Sequence, residues 1–323
     1  MNKHNLCRLG NSDLTVSRVG FGCWPISGVS SLDVNDPASV ATLERALRAG
    51  INFFDTAYSY GYEGEADKLL AQVLAKYKGE AVIASKVGTY FDEQRNRVVD
   101  GHPDTLLQHA QEILHRLRIP CLDLLYLHQP DPMVPIEQSA SAIAEAIQRG
   151  WARYAGVSNV NLEQLKAFHN VCPVVAVQPP FNMFQQQSVN PIREFCRAEN
   201  IGIVCYWVLM KGLLAGAITR EHQFDPRDRR LTYSIFQGQA RENGHLLLEL
   251  LGQLATEKNC STSQLVVAWT LHQPQISVAL CGAKRPEQIA DSALGMGVEL
   301  SSDEILRIDR WISDLDFSSV QVT

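Results

Sequence analysis

Eight short apolar segments recur along the chain, and each is followed by an amphipathic segment that begins with a helix-start signal. This alternation constrains the fold strongly, because neighbouring parallel strands need a crossover connection that packs back on the sheet. The candidate strands are Val19 to Cys23, Ile51 to Thr56, Ala81 to Lys86, Leu122 to Leu127, Tyr154 to Val157, Val174 to Gln178, Gly202 to Tyr206 and Ser277 to Cys281. Eight such units close most naturally into a ring, so the pattern predicts an α/β fold, the (β/α)8 TIM barrel.

The competing α/β architecture is an open, doubly wound sheet. That fold would place a glycine-rich dinucleotide turn directly after the first strand and a helix after the turn. The segment from Gly20 to Pro25 lacks the third glycine and the following helix. The barrel is therefore the preferred interpretation.

Helix boundaries are indicated by prolines in first turns and by glycines at ends. Asp36, followed by Pro37, is predicted to cap the first helix, and three later segments resemble it. Those segments are His102-Pro103-Asp104, Val189-Asn190-Pro191 and Arg285-Pro286-Glu287. Ala49-Gly50 and Arg149-Gly150 are predicted to end two other helices.

Three segments lie outside the repeat. Leu6 to Val16, with Gly10-Asn11-Ser12 at its turn, predicts a β-hairpin at the bottom of the barrel. Lys211 to Asn243 predicts a long functional loop, and Ser301 to Leu315 predicts an additional C-terminal helix with a capping box. A barrel of roughly 250 residues plus these additions fills residues 1–323 as one domain.

Composition narrows the classes of partner and the compartment. With 29 Lys and Arg against 35 Asp and Glu, the net charge is -6. The chain lacks the excess of basic residues that draws a protein to nucleic acid or an anionic membrane, so neither is an expected partner. The eight cysteines are scattered singly with no C-x-x-C spacing, and residues 1–7 lead into no apolar signal region. We expect reduced thiols, a cytoplasmic protein and a small-molecule substrate.

Ionisable residues stand at the carboxyl ends of three consecutive predicted strands, where the chemistry of a (β/α) barrel is located. Asp55 ends the second strand, Lys86 the third and His128 the fourth. Because neighbouring strands lie ~5 Å apart, the three side chains should share one mouth. Lys86 needs an anionic partner when buried, and Asp55 is the obvious one.

Tyr60 lies five residues beyond Asp55, in a loop that can fold over the same mouth. A nearby ammonium favours phenolate, so we expect Lys86 to lower the pKa of Tyr60 and make it a general acid. Each of these residues has a structural alternative, such as a surface cap or a core histidine, but their conjunction favours a site. A metal site is disfavoured, because Asp55 and His128 supply only two ligands and Lys86 is unsuitable beside a cation.

Three motifs carry a family resemblance. Gly50-Ile51-Asn52-Phe53-Phe54-Asp55-Thr56-Ala57-Tyr58-Ser59-Tyr60-Gly61, Ala84-Ser85-Lys86-Val87-Gly88 and Leu127-His128-Gln129-Pro130-Asp131-Pro132 resemble the signatures of the aldo-keto reductase superfamily. The likeness runs from about Leu9 to Leu315. It implies an NADPH-dependent oxidoreductase that reduces aldehydes and ketones to alcohols, with Tyr60 as general acid, Lys86 and Asp55 tuning it and His128 orienting the carbonyl.

The resemblance also implies a nicotinamide cofactor site. Ser158, Asn159 and Gln178 would hydrogen-bond the carboxamide, Tyr206 would stack on the ring, and the turn before Gln288 would hold the adenosine 2'-phosphate with Lys284. The full set of implied cofactor residues is Cys23, Trp24, Asp55, Ser158, Asn159, Gln178, Tyr206, Trp207, Val208, Leu209, Lys211, Gly212, Gly282, Ala283, Lys284, Gln288 and Asp291.

Two segments depart from the family pattern. Tyr206-Trp207-Val208-Leu209 replaces Tyr-Ser-Pro-Leu along the pyrophosphate, and Asp291-Ser292 replaces Glu-Asn near the adenine. NADPH is the favoured cofactor and NADH a possible one. Ser158-Asn159 could also cap the helix that follows.

Two other functions stay open. One is an aldose dehydrogenase that works in the oxidative direction, and the other is a regulatory NADP(H)-binding subunit without turnover. The residues predicted to line an aromatic substrate pocket are Trp24, Tyr58, Tyr90, Phe91 and Trp207.

Overall fold

A closed ring of eight parallel strands dominates the computed structural model, which describes residues 5–30, 33–317 and 320. The strands in chain order are β1 (Leu6–Arg8), β2 (Thr15–Ser17), β3 (Val19–Gly22), β4 (Phe53–Asp55), β5 (Val82–Val87), β6 (Thr89–Phe91), β7 (Arg97–Val99), β8 (Leu122–Leu127), β9 (Ala152–Ser158), β10 (Val174–Gln178), β11 (Gly202–Cys205) and β12 (Ile276–Cys281). Around the ring the order is β10-β11-β12-β3-β4-β5-β8-β9. The predicted (β/α)8 barrel is confirmed.

Helices cover the outside of the barrel and bury the apolar outer faces of its strands. They are α1 (Asp36–Arg48), α2 (Glu65–Leu74), α3 (Pro103–Leu117), α4 (Ile136–Gln148), α5 (Leu162–Val171), α6 (Arg193–Ala198), α7 (Gly238–Glu257), α8 (Thr262–His272), α9 (Pro286–Leu294) and α10 (Ser302–Asp314). In the part of the chain that the structure describes, no helix is both long and apolar enough to cross a membrane.

The predicted helix starts hold at His102 and Arg285, which precede α3 and α9 with a proline in the first turn. The prediction for α1 is wrong by one residue, because the side chain of Asn35 accepts the amide of Ala38 and so caps the helix ahead of Asp36. Residues 189–191 do not begin a helix. They lie in successive turns, and α6 starts only after Ile192.

The hairpin of β1 and β2 closes the bottom of the barrel as predicted. Leu9 and Leu14 from its turn are buried in one cluster with Val175 and Val204 from inside the barrel. Gly10 adopts a φ of +52°, and a side chain there would collide with the carbonyl of Val175. Glycine is thus required where the turn meets the strand ends.

The connection after β11 is shorter than predicted. Irregular chain with short 3-10 turns ends at Gln237, and residues 238–243 already belong to α7. This helix is an addition to the eight-fold repeat, because α8 supplies the crossover to β12. The final helix α10 has the predicted capping box between Ser301 and Glu304.

A second short hairpin, β6 with β7, follows β5 and was not predicted from the sequence. It pairs Thr89 with Val99 and Phe91 with Arg97. Because it begins three residues after Lys86, it rises directly from the carboxyl-end mouth of the barrel.

Candidate active site

The carboxyl ends of β4, β5 and β8 bring the four predicted site residues together. Lys86 Nζ donates hydrogen bonds to Asp55 Oδ1, to the carbonyl oxygen of Thr56 at 2.9 Å and to Tyr60 Oη at 3.2 Å. The side chains of Lys86 and Asp55 are each 1% exposed. All three N–H groups of the ammonium therefore have an acceptor, as a buried charge requires.

Burial works against the charges of this ion pair. It raises the pKa of Asp55 and lowers the pKa of Lys86, while the attraction between the two groups opposes both changes. Asp55 has a second support, because Gln178 Nε2 donates to its Oδ2 at 2.8 Å. The carboxylate thus stays fixed between the lysine and an amide.

The expected lowering of the Tyr60 pKa is wrong for this structure. Burial raises the pKa of Tyr60 well above its ordinary value, Asp55 and then Cys23 raise it further, and only Arg97 opposes them. Burial and the negative charge of Asp55 decide the pKa of this phenol, although Lys86 donates a hydrogen bond to its oxygen. Tyr60 is consequently held as the neutral phenol, which is the form that can give a proton.

His128 is held neutral beside this network. Burial, then the charges of Lys86 and Arg97, lower its pKa well below the ordinary value. Its Nδ1 lies 2.7 Å from Thr89 Oγ1, which in turn lies 3.0 Å from Ser59 Oγ. If Ser59 donates to Thr89 and Thr89 donates to Nδ1, the ring proton resides on Nε2.

Asn159 links His128 to the opposite side of the mouth. Its Nδ2 donates to the carbonyl oxygen of His128 at 2.9 Å, and its Oδ1 accepts from Tyr206 Oη at 2.7 Å. The φ of Asn159 is +57°, in the left-handed region that asparagine tolerates best among non-glycine residues. Ser158 Oγ donates to the carbonyl oxygen of Gln178 at 2.7 Å.

The suggested helix cap at Ser158-Asn159 is wrong. Asn161 caps α5 and forms a capping box with Gln164, because its side chain lies at the correct spacing from the first free amides. Ser158 and Asn159 therefore belong to the mouth alone.

A cationic cluster extends from Tyr206 along the long connection. Lys211 Nζ lies 4.4 Å from the ring centre of Trp207 and 4.5 Å from that of Tyr233. Burial and the charges of Arg229 and Arg230 lower the pKa of Lys211 to about 8. Trp207 and Lys211 adopt positive φ, and so do Met210 and Gly212. The predicted Val208 is buried behind this turn, with Leu209 packed against the core.

The predicted phosphate turn before α9 differs in detail from expectation. The amides of Lys284 and Arg285 both donate to Gln288 Oε1, so this side chain occupies donors that were expected to face a phosphate. Lys284 Nζ forms an ion pair with Asp33 at 2.5 Å. A side chain at Gly282 would collide with Pro25, and Ala283 is buried.

Asp291 contributes to helix packing. Its carboxylate accepts hydrogen bonds from Ser261 Oγ at 2.8 Å and from Gln264 Nε2 at 2.6 Å, which ties α9 to the start of α8. Both oxygens are used in this contact, so the expected adenine contact is not favoured by the structure.

The predicted aromatic pocket is only partly assembled. Trp24 packs edge-on against Tyr60 with ring centres 5.2 Å apart, and the adjacent Cys23 is buried. Tyr58 instead stacks on His109 of α3, with ring centres 3.6 Å apart, and donates a hydrogen bond to Glu112. Tyr58 therefore supports α3 rather than the mouth.

Two further aromatic residues of the predicted pocket lie on the hairpin of β6 and β7. Tyr90 packs edge-on against His109, with ring centres 5.6 Å apart, and Phe91 packs against Tyr62 at 5.2 Å. Of the predicted set, Trp24 and Trp207 lie beside the site.

Several residues with a functional environment escaped sequence reasoning. Thr89 bonds His128 and Ser59 bonds Thr89, Asp67 bonds Thr56 behind Lys86, and exposed Arg97 acts on the pKa of Tyr60 and His128. The sequence signal was weak, because a threonine after Gly88 or an aspartate in a first helical turn is common for structural reasons.

An eight-stranded parallel barrel with these polar side chains at its carboxyl-end mouth matches the aldo/keto reductases, a class of oxidoreductases that act on carbonyl compounds. The chain belongs to the aldo/keto reductase family, whose family model matches residues 18–313. Enzymes of this family use nicotinamide cofactors.

Among its relatives is the aldo-keto reductase YhdN of Bacillus subtilis (strain 168), which is 30% identical over 300 residues, covering 92% of this chain and 90% of that protein. The structure of the glycerol dehydrogenase AKR11B4 from Gluconobacter oxydans superposes with a TM-score of 0.91 at 30% identity, covering 99% of both chains. The holo form of the aldo-keto reductase AKR11C1 from Bacillus halodurans shares the fold, with a TM-score of 0.78 at 20% identity and 98% of both chains covered.

Proposed function

We propose that this protein is an NADP(H)-dependent carbonyl reductase in which Tyr60 is the general acid. The observation that supports it most is the hydrogen bond from Lys86 Nζ to Tyr60 Oη at 3.2 Å, made by a lysine that is itself paired with buried Asp55. An ammonium that donates to the phenol oxygen stabilises the negative charge that this oxygen acquires as the proton leaves.

The charges around the mouth fit a dinucleotide. Lys211 lies between two aromatic rings with Arg229 and Arg230 close enough to lower its pKa, so an anion there would relieve repulsion among the cations. Ser158, Asn159 and Gln178 would hold the carboxamide, and Tyr206 would lie against the ring. When bound, the reduced nicotinamide supplies a hydride to the carbonyl carbon.

The proton step uses groups of the chain. Tyr60 donates its phenolic proton to the carbonyl oxygen, and the Lys86 ammonium offsets the charge left on the phenol oxygen. His128 is neutral, and with Thr89 donating to its Nδ1 it carries its proton on Nε2, from which it donates a hydrogen bond to the same carbonyl oxygen and so orients it. Asp55 keeps the ammonium in place through both states.

NADPH is the proposed cofactor, with NADH as a possible one. Lys284 and Arg285 supply positive charge where the adenosine 2'-phosphate would lie. The ion pair of Lys284 with Asp33 weakens this preference in the free protein, because the phosphate must compete with a carboxylate.

A cytoplasmic location and a single domain over residues 1–323 remain our predictions, and eight free cysteines favour a reducing compartment.

An oxidative direction is the second candidate, and the glycerol dehydrogenase with a TM-score of 0.91 favours it. The same groups would then act in reverse on an aldose or polyol, with phenolate as the base. A regulatory subunit without turnover is less favoured, because Tyr60, Lys86 and Asp55 retain a complete hydrogen-bond network.

The deciding experiment measures nicotinamide absorbance with panels of aldehydes, ketones, sugars and polyols, in both directions and with both cofactors. We expect turnover that Tyr60→Phe reduces by at least about a hundredfold, because general acid catalysis contributes on the order of 10²–10⁴-fold. Tyr62→Phe, an exposed tyrosine in the same loop, is the matched control and should keep its activity. Full turnover by Tyr60→Phe would contradict the mechanism.

A further inference from the structure

A second carboxyl group is buried behind the site lysine and plays no part in the mechanism above. Asp67 lies in the first turn of α2 and is 0% exposed. Its Oδ1 accepts a hydrogen bond from Thr56 Oγ1 at 2.6 Å, and its Oδ2 has no hydrogen-bond partner among the described residues. A buried carboxyl with one oxygen unpaired is costly, so such a residue calls for a reason.

Thr56 connects Asp67 to Lys86. The hydroxyl of Thr56 donates to Asp67, while the carbonyl oxygen of Thr56 accepts from Lys86 Nζ at 2.9 Å. The amide of Thr56 is also fixed, since it donates to the carbonyl of Ala84 in β5. Moving the Thr56 side chain would therefore move one of the three acceptors that hold the ammonium.

We propose that Asp67 is a positioning residue for Lys86. Asp67 fixes the acceptor carbonyl of Thr56 and, when Asp67 is ionised, keeps the lysine protonated at alkaline pH. The proposal rests on the proposed role of Lys86 in proton transfer. It adds a second carboxyl to the Asp55–Lys86 pair, and that carboxyl lies on a helix rather than at a strand end.

Electrostatics supports this arrangement. Burial raises the pKa of Asp67 to about 7, while the hydrogen bond from Thr56 and the charges of Arg116 and Lys86 oppose the rise. In turn the charge of Asp67 raises the pKa of Lys86, against the larger effect of burial. Among the described residues the buried thiol of Cys23 is a further ionisable neighbour, and burial, then Asp55 and Asp67, raise its pKa.

The direction of the pH effect follows from these signs. Below about pH 6 Asp67 is neutral and contributes only its hydrogen bond. As the pH rises through about 7 it ionises, and the new negative charge favours the ammonium of Lys86 in the range where burial would otherwise remove the proton. Asp67 thereby extends the pH range over which Lys86 stays charged.

Asp67→Asn tests the charge while keeping an oxygen for Thr56 to bond. Wild type and variant should have the same kcat near pH 6. Above pH 7.5 the kcat of the variant should be lower than that of wild type, by about tenfold at pH 9. Its KM for the carbonyl substrate should stay within about twofold. Asp104→Asn, a first-turn aspartate of α3 whose side chain is 93% exposed, is the matched control and should follow wild type throughout.

Thr56→Val separates the hydrogen bond from the charge, because valine has the same shape without the hydroxyl. Asp67 then loses the hydrogen bond that lowers its pKa, so it ionises at a higher pH than in wild type. The pH at which Asp67 begins to keep Lys86 protonated should therefore be higher in this variant. Thr56→Ser should restore the wild-type profile. A kcat for Asp67→Asn that runs parallel to wild type at every pH would overturn the proposal, since a merely structural defect lowers activity equally across the profile.

A second measurement decides the proposal without turnover. Lysine labelled with 13C at Cε is titrated by NMR, and the resonance absent from Lys86→Met is assigned to Lys86. We expect its midpoint to lie at least about one unit lower in Asp67→Asn than in wild type. An unchanged midpoint would reject the proposal, whereas a shifted midpoint in a protein that reduces no carbonyl would support the role of Asp67 and contradict the proposed function instead.

Discussion

Thr89 Oγ1 lies 2.7 Å from Nδ1 of His128, and this contact determines what the histidine can do at the mouth of the barrel. A neutral imidazole has one donor and one acceptor, so when the Thr89 hydroxyl donates to Nδ1 the ring proton lies on Nε2. Because Thr89 begins the hairpin of β6 and β7, the segment that shapes the mouth also contacts the ring nitrogen that determines where His128 carries its proton.

Thr89→Val should therefore impair substrate orientation without removing the acid. We expect the KM of the carbonyl substrate to rise and kcat to fall, with a total loss in kcat/KM of about tenfold to a hundredfold, equivalent to one lost hydrogen bond at a neutral group. Thr89→Ser keeps the hydroxyl and should retain most of the activity. Equal steady-state constants for Thr89→Val and wild type would remove Thr89 from this role.

We expect cofactor choice to depend on competition for Lys284. Its ammonium pairs with Asp33, so a 2'-phosphate bound there would have to displace that carboxylate. Asp33→Asn should lower the KM for NADPH by about twofold to fivefold and leave that for NADH nearly unchanged, as expected for one exposed ion pair. Lys284→Ala should raise the KM for NADPH more than that for NADH. Equal changes for the two cofactors would place the phosphate elsewhere.

Much of the site could be predicted because its residues occupy strand ends. Asp55, Lys86 and His128 each terminate an apolar segment, and closure of the barrel forces such positions together. Partners that belong to loops and helices escaped prediction. Asp33 lies 251 residues from Lys284 in the sequence, and no local pattern links the two.

The ionisation of the site was the hardest property to predict. A lysine beside a tyrosine indicates a lowered phenol pKa, yet burial raises the pKa of Tyr60. The outcome depends on how completely Asp55 balances Lys86 and on how much water reaches the phenol, and neither is written in residue order. Tyr58 is a similar case, because its distance from Asp55 in the sequence does not reveal that it turns toward His109.

Cofactor affinity should depend on pH through Lys211. The pKa of this lysine is lowered to about 8, and a bound phosphate would raise it. The contribution of Lys211 to binding is then complete below pH 8 and is lost as the pH rises through 8 and beyond. Fluorescence titration should give a Kd for NADPH that weakens by about tenfold for each unit by which binding raises this pKa.

Lys211→Met should bind NADPH more weakly at pH 7 and show a flat profile between pH 7 and 9.5. Lys166→Met, which removes an exposed lysine of α5, is the control and should keep the wild-type slope. A slope that persists in Lys211→Met would assign the titration to another group.

Substrate preference should respond to the charge of Arg97. This exposed residue of β7 acts on the pKa of Tyr60, His128, Tyr206 and Tyr233, four groups from different segments around the mouth. Because the charge of Arg97 acts on all four groups, we expect it to favour a carbonyl compound that carries a carboxylate or phosphate, whose oxygens match the planar donors of a guanidinium.

Matched substrates test this preference directly. Wild type should show a higher kcat/KM for glyceraldehyde 3-phosphate than for glyceraldehyde, and Arg97→Gln should lower the first by about tenfold while leaving the second within about twofold. Arg95→Gln changes a guanidinium of the same hairpin that lies 4.4 Å from the ring centre of Tyr62, outside the mouth, and should affect neither substrate. If Arg97→Gln lowers kcat/KM equally for both substrates, Arg97 acts on the proton-transfer groups rather than on the substrate.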